Sequence, residues 1–141
     1  MRIRPVEIGV AALLFATQAA AAEVQISDAW MRALPAPSPS GGYFTLRNTG
    51  TSEITLTGAK SPACGMLMLH RSKEMGGMSS MEDVSSVPVP AGGEIRFSPG
   101  GYHLMCMDST SAIKPGGSVP VTLQFSDKTE ATANFAVKNA Q

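Results

Sequence analysis

With 141 residues, eleven basic and eleven acidic side chains, the chain is electrically balanced and of a length suited to one domain. The balance excludes partners that demand a basic stripe, nucleic acid and anionic membrane surfaces, and a 43% hydrophobic composition supplies a real core. No nucleophile–base pair and no carboxylate cluster beside a histidine is legible, so an enzyme is not expected.

The predicted elements begin with a leader over residues 1–22. Arg2 and Arg4 precede a short apolar run from Ile8 to Ala16, and a small-residue stretch ends at Ala20-Ala21-Ala22, the pattern of a secretory signal peptide. Cleavage after Ala22 leaves a mature domain over 23–141 with nine basic and ten acidic residues, a net charge of −1. The apolar run is shorter than the roughly 20 residues a bilayer span needs. With no second such run and no cysteine near the cleavage point to carry a lipid, the expected product is a soluble, monomeric periplasmic protein that does not insert in a membrane.

The remainder alternates with period two and is punctuated every eight to twelve residues by glycine and proline, the rhythm of an all-β antiparallel sandwich of immunoglobulin-like kind. In chain order the predicted strands are Val24–Ser27, Gly42–Asn48, Glu53–Gly58, Met66–Arg71, Glu94–Ser98, Tyr102–Met107, Val119–Phe125 and Ala131–Val137. Turns fall at Asn48-Thr49-Gly50, Pro90-Ala91-Gly92-Gly93, Ser98-Pro99-Gly100-Gly101 and Lys114-Pro115-Gly116-Gly117. A proline-rich loop, Pro35–Gly41, is given no chemistry. No internal repeat is present.

Seven of the nine methionines lie between Met66 and Met107, and both histidines, His70 and His103, share that window. Strand alternation puts His103, Met105 and Met107 on one face of their strand, with Leu104 and Cys106 on the other. It likewise aligns Met66, Met68 and His70 opposite Leu67 and Leu69. The leucines supply the core face, so the thioethers stand where polar side chains would otherwise be. A single histidine is ordinarily a surface or hydrogen-bonded residue and a single methionine a gap filler. If the two strands are neighbours, however, two imidazoles and several thioethers meet at one site. Thioether sulfur selects Cu(I), whereas zinc takes thiolate, imidazole and carboxylate, and calcium and magnesium take oxygen. The expected ligands are His70, Met81, His103 and Met105 for one Cu(I), with Met81 folding over the histidines from across a loop. Met68 and Met107 are alternates, and Met75 and Met78 sit in a flexible loop suited to transient capture. Thioethers do not couple to disulfides in an oxidising compartment. Imidazole competes for protons, so copper affinity is expected to weaken below about pH 6.

The spacing His70-x10-Met81-x21-His103-x-Met105 resembles the motif of the PCu(A)C family of periplasmic copper chaperones, position for position. Flanking segments are similar to family members too: Ala29-Trp30-Met31-Arg32, Gly42–Gly50, Val89–Gly93 and Pro99–His103. The resemblance implies a cupredoxin-like sandwich, the same four ligands, an accessible Cu(I), and delivery to the CuA centre in cytochrome c oxidase subunit II, with or without a Sco-type thioredoxin-like partner. Arg71 stands where many members have an acidic residue, which alters the charge expected around the site. Met66 and Met68 add thioethers beyond the motif. The C-terminal segment Phe135–Gln141 lacks the His- and Met-rich tail that gives some members a second copper site.

Cys64 and Cys106 are read as a disulfide or as buried thiols, with copper ligation the least favoured role. Trp30, Tyr43 and Tyr102 are read as sandwich and rim aromatics. Competing functions are a blue-copper electron carrier, which needs a His2Cys set, a copper buffering or resistance protein using the same ligands, and a metal-free sandwich that binds another protein through its methionines.

Overall fold

A computed structural model describes residue 9, residues 20–35 and residues 38–139. Most of the expected leader, and residues 36 and 37 of the proline-rich loop, lie outside the described residues. The last leader residues, Ala20–Ala22, run beside the final strand: Ala22 N donates to Glu130 O at 2.9 Å, and Glu130 N donates to Ala20 O at 3.0 Å.

Ten strands follow: β1 (Val24–Ala33), β2 (Ser40–Asn48), β3 (Ile54–Lys60), β4 (Cys64–Met75), β5 (Met78–Asp83), β6 (Val87–Val89), β7 (Glu94–Phe97), β8 (Tyr102–Ser109), β9 (Ser118–Phe125) and β10 (Glu130–Asn139). They form one sheet in the order β5-β4-β8-β2-β1-β10-β9-β3-β6, with β7 also paired to β2. Leu67 and Leu69 of β4 share one buried cluster with Val87 and Val89 of β6, although those strands stand near opposite ends of that order. The sheet therefore curls over onto itself as a sandwich around a single core.

Alternation builds that core. Val119, Val121, Leu123 and Phe125 are buried along β9, with Phe135 and Val137 beside them on β10. Phe44 of β2 stacks on Phe97 of β7, centroids 4.4 Å apart. Each fully buried side chain of this size stabilises by about 1.5–3 kcal/mol relative to exposure. Asn48, buried at the end of β2, donates to Val89 O and Ser52 O and accepts from Gly50 N, which accounts for the predicted Asn48–Gly50 turn.

Four features depart from the sequence reading. Strand β1 pairs with β10 in parallel, so the sheet is mixed. A bulge between Ser27 and Trp30, with Asp28 at φ 51°, lengthens β1 and inverts its parity. Beyond it Met31 points into the core, while Trp30 and Arg32 lie on the opposite face. Strand β6 joins the sheet although its Pro88 lacks an N–H, because it is an edge strand where one orphaned position is tolerated. Finally, the segment expected as a flexible methionine loop is a β-hairpin: β4 extends to Met75, turns at Gly76-Gly77, and returns as β5.

Candidate metal centre

Antiparallel pairing of β4 with β8 sets the site. In this register His70 lies opposite His103, Met68 opposite Met105 and Met66 opposite Met107. Directly paired residues share a face, so six side chains of soft or borderline donor type line one side of two strands. The other side carries Leu67, Leu69, Leu104 and Cys106, all buried, as the alternation required. The imidazole centroids are 5.7 Å apart with the rings at 71°.

The β4–β5 hairpin adds the third strand. Gly76 and Gly77 both hold positive φ, 59° and 82°, the conformation of a tight two-residue hairpin turn whose twist matches the strands it joins. The resulting register puts Met81 opposite Ser72 and Asp83 opposite His70. Met81, His103 and Met105 line one cleft of about 230 Å³ together with Tyr43 and Arg32. Gly41 forms part of its wall, where a Cβ would stand 2.8 Å from the Tyr43 hydroxyl.

The two histidines are held differently. His103 is only 4% exposed, and its Nδ1 lies 3.3 Å from Gly101 O. A carbonyl can only accept, so Nδ1 carries the proton and Nε2 keeps its lone pair. That Nε2 is buried with no hydrogen-bond partner. Burial pushes the His103 pKa down, opposed in part by the hydrogen bond to the Gly101 carbonyl, and the neighbouring His70 adds a smaller lowering. On His70 the Nε2 approaches Asp83 Oδ1 to 2.8 Å but off the hydrogen-bond line, so both its ring nitrogens are buried without a hydrogen-bonded partner. Nδ1 of His70 and Nε2 of His103 are thus buried without a polar partner, a desolvation cost that a bound ligand would relieve, while Nε2 of His70 faces Asp83.

All four residues named from the spacing stand on one face. Met81 reaches the site from a paired strand rather than over a loop, and it is the open member at 61% exposed. The histidines are more enclosed than a site of wholly exposed ligands would have them. Met78 is exposed near the hairpin turn. Arg71 is directed away from the site: its parity puts it on the leucine face, where Nε donates to Glu82 Oε1 at 2.7 Å and the guanidinium lies over Tyr102. Asp83 and the Gly101 carbonyl were not anticipated. The signal for Asp83 was present in the Gly-Gly turn, since counting back from it pairs Asp83 with His70 and Glu82 with Arg71.

Among the described residues, no three histidine, cysteine, aspartate or glutamate side chains are grouped to hold a metal, and the side chains that share a face with the imidazoles include the thioethers of Met68, Met81 and Met105. Cys64 and Cys106 are joined in a disulfide, Cα atoms 5.4 Å apart. No thiolate is available for the His2Cys set of a blue-copper carrier.

A family model described as "Putative lipoprotein LpqE-like" matches residues 24–137. The chain belongs to the LpqE-like family. Lxx21020 of Leifsonia xyli subsp. xyli (strain CTCB07), which carries the same lipoprotein description, is 32% identical over 117 residues, covering 82% of this chain and 70% of that one. The copper-bound PCuAC domain from PmoF2 superposes on this LpqE-like chain with a TM-score of 0.68 at 22% identity, over 86% of this chain and 97% of the domain. At that identity the likeness shows the fold, which is the all-β sandwich read from the sequence. The Cu(I) form of DR1885 from Deinococcus radiodurans, determined in solution, is 28% identical with a TM-score of 0.63, covering 86% of this chain and 80% of that one.

Proposed function

We propose that this LpqE-like protein is an exported Cu(I) metallochaperone that binds one copper through His70, His103, Met105 and Met81. The observation that carries the reading is the His70–His103 pair, with buried, unpartnered ring nitrogens beside the two thioethers. Hard cations are poorly served by sulfur, and zinc would seek thiolate or carboxylate. The copper-bound and Cu(I)-bound structural relatives support the same cargo.

The Gly101 carbonyl and the Asp83 carboxylate beside the two imidazoles fix which nitrogen of each is free to bind. With the His103 Nδ1 proton held by Gly101, Nε2 is the donor. The Asp83 carboxylate beside His70 Nε2 gives a proton there a charge partner, which leaves Nδ1 of His70 as the donor. Such outer partners orient a metal-bound imidazole and raise its basicity.

The division of exposure suits a delivery role. The histidines are anchored on paired central strands, whereas Met81 lies open on edge strand β5. An acceptor's ligands can displace Met81 first and take the copper stepwise, without opening the core. Export is supported by the leader pattern, by the disulfide, and by the lipoprotein descriptions of the family and of Lxx21020. Within that reading the compartment is the periplasm, residues 1–22 are a cleaved signal peptide, and the acceptor is the CuA centre of cytochrome c oxidase subunit II, reached directly or through a Sco-type protein.

The test is an anaerobic Cu(I) titration against a chromophoric chelator, run on wild type and on His70→Ala/His103→Ala. Wild type is expected to withdraw one copper per chain tightly, and the variant to lose that tight equivalent. Failure of wild type to compete, or an unchanged variant, would favour the reading of the methionines as a protein-binding surface.

A further inference from the structure

We propose that Met66 and Met107, with Met68, form a second, weaker Cu(I) site on the same sheet face, through which copper enters or leaves the histidine site. The inference rests on the copper reading above.

Exposure is the first observation. Among the described residues the exposed large hydrophobic side chains are Met66, Met78, Met81 and Met107, at 56%, 75%, 61% and 38%. No leucine, isoleucine, valine or phenylalanine is in that group. The large hydrophobic side chains left exposed among the described residues are thus all thioethers, which a requirement for hydrophobic surface alone would not select, since branched aliphatics and aromatics meet it as well.

Register is the second. Met66 and Met107 face each other directly across β4 and β8, and Met68 and Met105 form the next pair on the same face. Cβ atoms of directly opposed residues lie about 4.5–5.5 Å apart, and the flexible methionine stem lets two such sulfurs converge on one ion. Successive same-face positions along a strand are separated by about 7 Å. Met66/Met107, Met68/Met105 and His70/His103 therefore make a ladder of three rungs, running from an exposed end to the enclosed imidazoles.

The chemistry differs from rung to rung. The outer rung offers neutral thioethers only and discriminates for Cu(I) without proton competition, while the inner rung adds the stronger imidazole donors. Met68, opposite Met105, is placed to serve either rung. In transfer, Cu–S bonds to Met66 and Met107 break as bonds to Met105 and an imidazole nitrogen form. The metal remains Cu(I), and no electron or proton moves.

The experiment is an anaerobic Cu(I) titration of three proteins, wild type, Met66→Leu/Met107→Leu and His70→Ala/His103→Ala, with the copper-edge X-ray absorption spectrum recorded at each plateau. Leucine keeps the side-chain bulk at two exposed positions, and circular dichroism confirms that the variant is folded. Wild type is expected to bind a second equivalent at least 100-fold more weakly than the first. The methionine variant is expected to keep only the tight equivalent, and the histidine variant to keep one weak copper with sulfur-only scattering. A single equivalent in wild type, or a second equivalent that survives in the methionine variant, overturns the proposal. If instead the histidine site is the one that fails, wild type and histidine variant will both bind one copper with sulfur-only scattering, and the methionine variant none.

Discussion

His103 is buried and neutral, and that choice has a consequence in acid. An unfolded chain protonates this histidine near its ordinary pKa of about 6.5, whereas the folded chain, its pKa lowered chiefly by burial, does so only at lower pH. Above the ordinary value both states are neutral and the residue adds no pH dependence. As pH falls through that value towards the depressed one, the unfolded state takes up a proton that the folded state refuses, and apo stability declines. Urea unfolding of the apo protein between pH 7.5 and 5 is expected to show a falling midpoint, and His103→Gln to remove part of that fall. Asp83 permits a separate test. Asp83→Asn keeps the shape beside His70 Nε2 but removes the charge, and Cu(I) affinity is expected to drop about 10-fold, the lower end of what losing the outer partner of a metal-bound imidazole costs. An unchanged affinity would show that the carboxylate is a bystander.

The β4–β5 hairpin is the element that completes the site, and its turn depends on two consecutive residues at positive φ. Gly77→Val puts a β-branched side chain into that region at a cost of roughly 1–2 kcal/mol. Copper affinity is then expected to fall although no ligand has changed, with faster amide exchange along β5 and an intact His70–His103 pair. This hairpin was also the least legible part of the sequence. The parity of β4 and β8 could be read directly, because leucines alternate with histidines and methionines and only one face can be core. In β5 the sequence Met-Ser-Ser-Met-Glu-Asp has no apolar face to betray a strand, and Gly76-Gly77 reads equally as a loose loop. Strand β6 was hidden because it is three residues long with a proline at its centre. The parallel β1–β10 pair was illegible for another reason: it joins the two ends of the domain, and nothing local specifies such long-range pairing.

At the scale of the whole molecule, one curled sheet gives the chain two working faces. The inner face is the core, sealed by the Cys64–Cys106 disulfide between the start of β4 and the middle of β8; the outer face carries the donor ladder. Stability and copper binding should therefore separate. Cys64→Ala/Cys106→Ala is expected to cost roughly 2–4 kcal/mol of stability, seen as a lower Tm, while the tight copper affinity of the folded fraction stays the same. Leu104→Ala, at a site with no exposed surface, should cost about 2–5 kcal/mol. Loss of copper with the disulfide, at a temperature where the protein remains folded, would put the sulfurs in the metal site and refute this division. The most direct test of the central claim is the copper-edge X-ray absorption spectrum of the protein loaded anaerobically with one equivalent of Cu(I). Two nitrogen and two sulfur neighbours are expected around the copper, the nitrogen contribution showing the outer scattering of imidazole rings. A shell of sulfur alone, or of nitrogen and oxygen without sulfur, would contradict it.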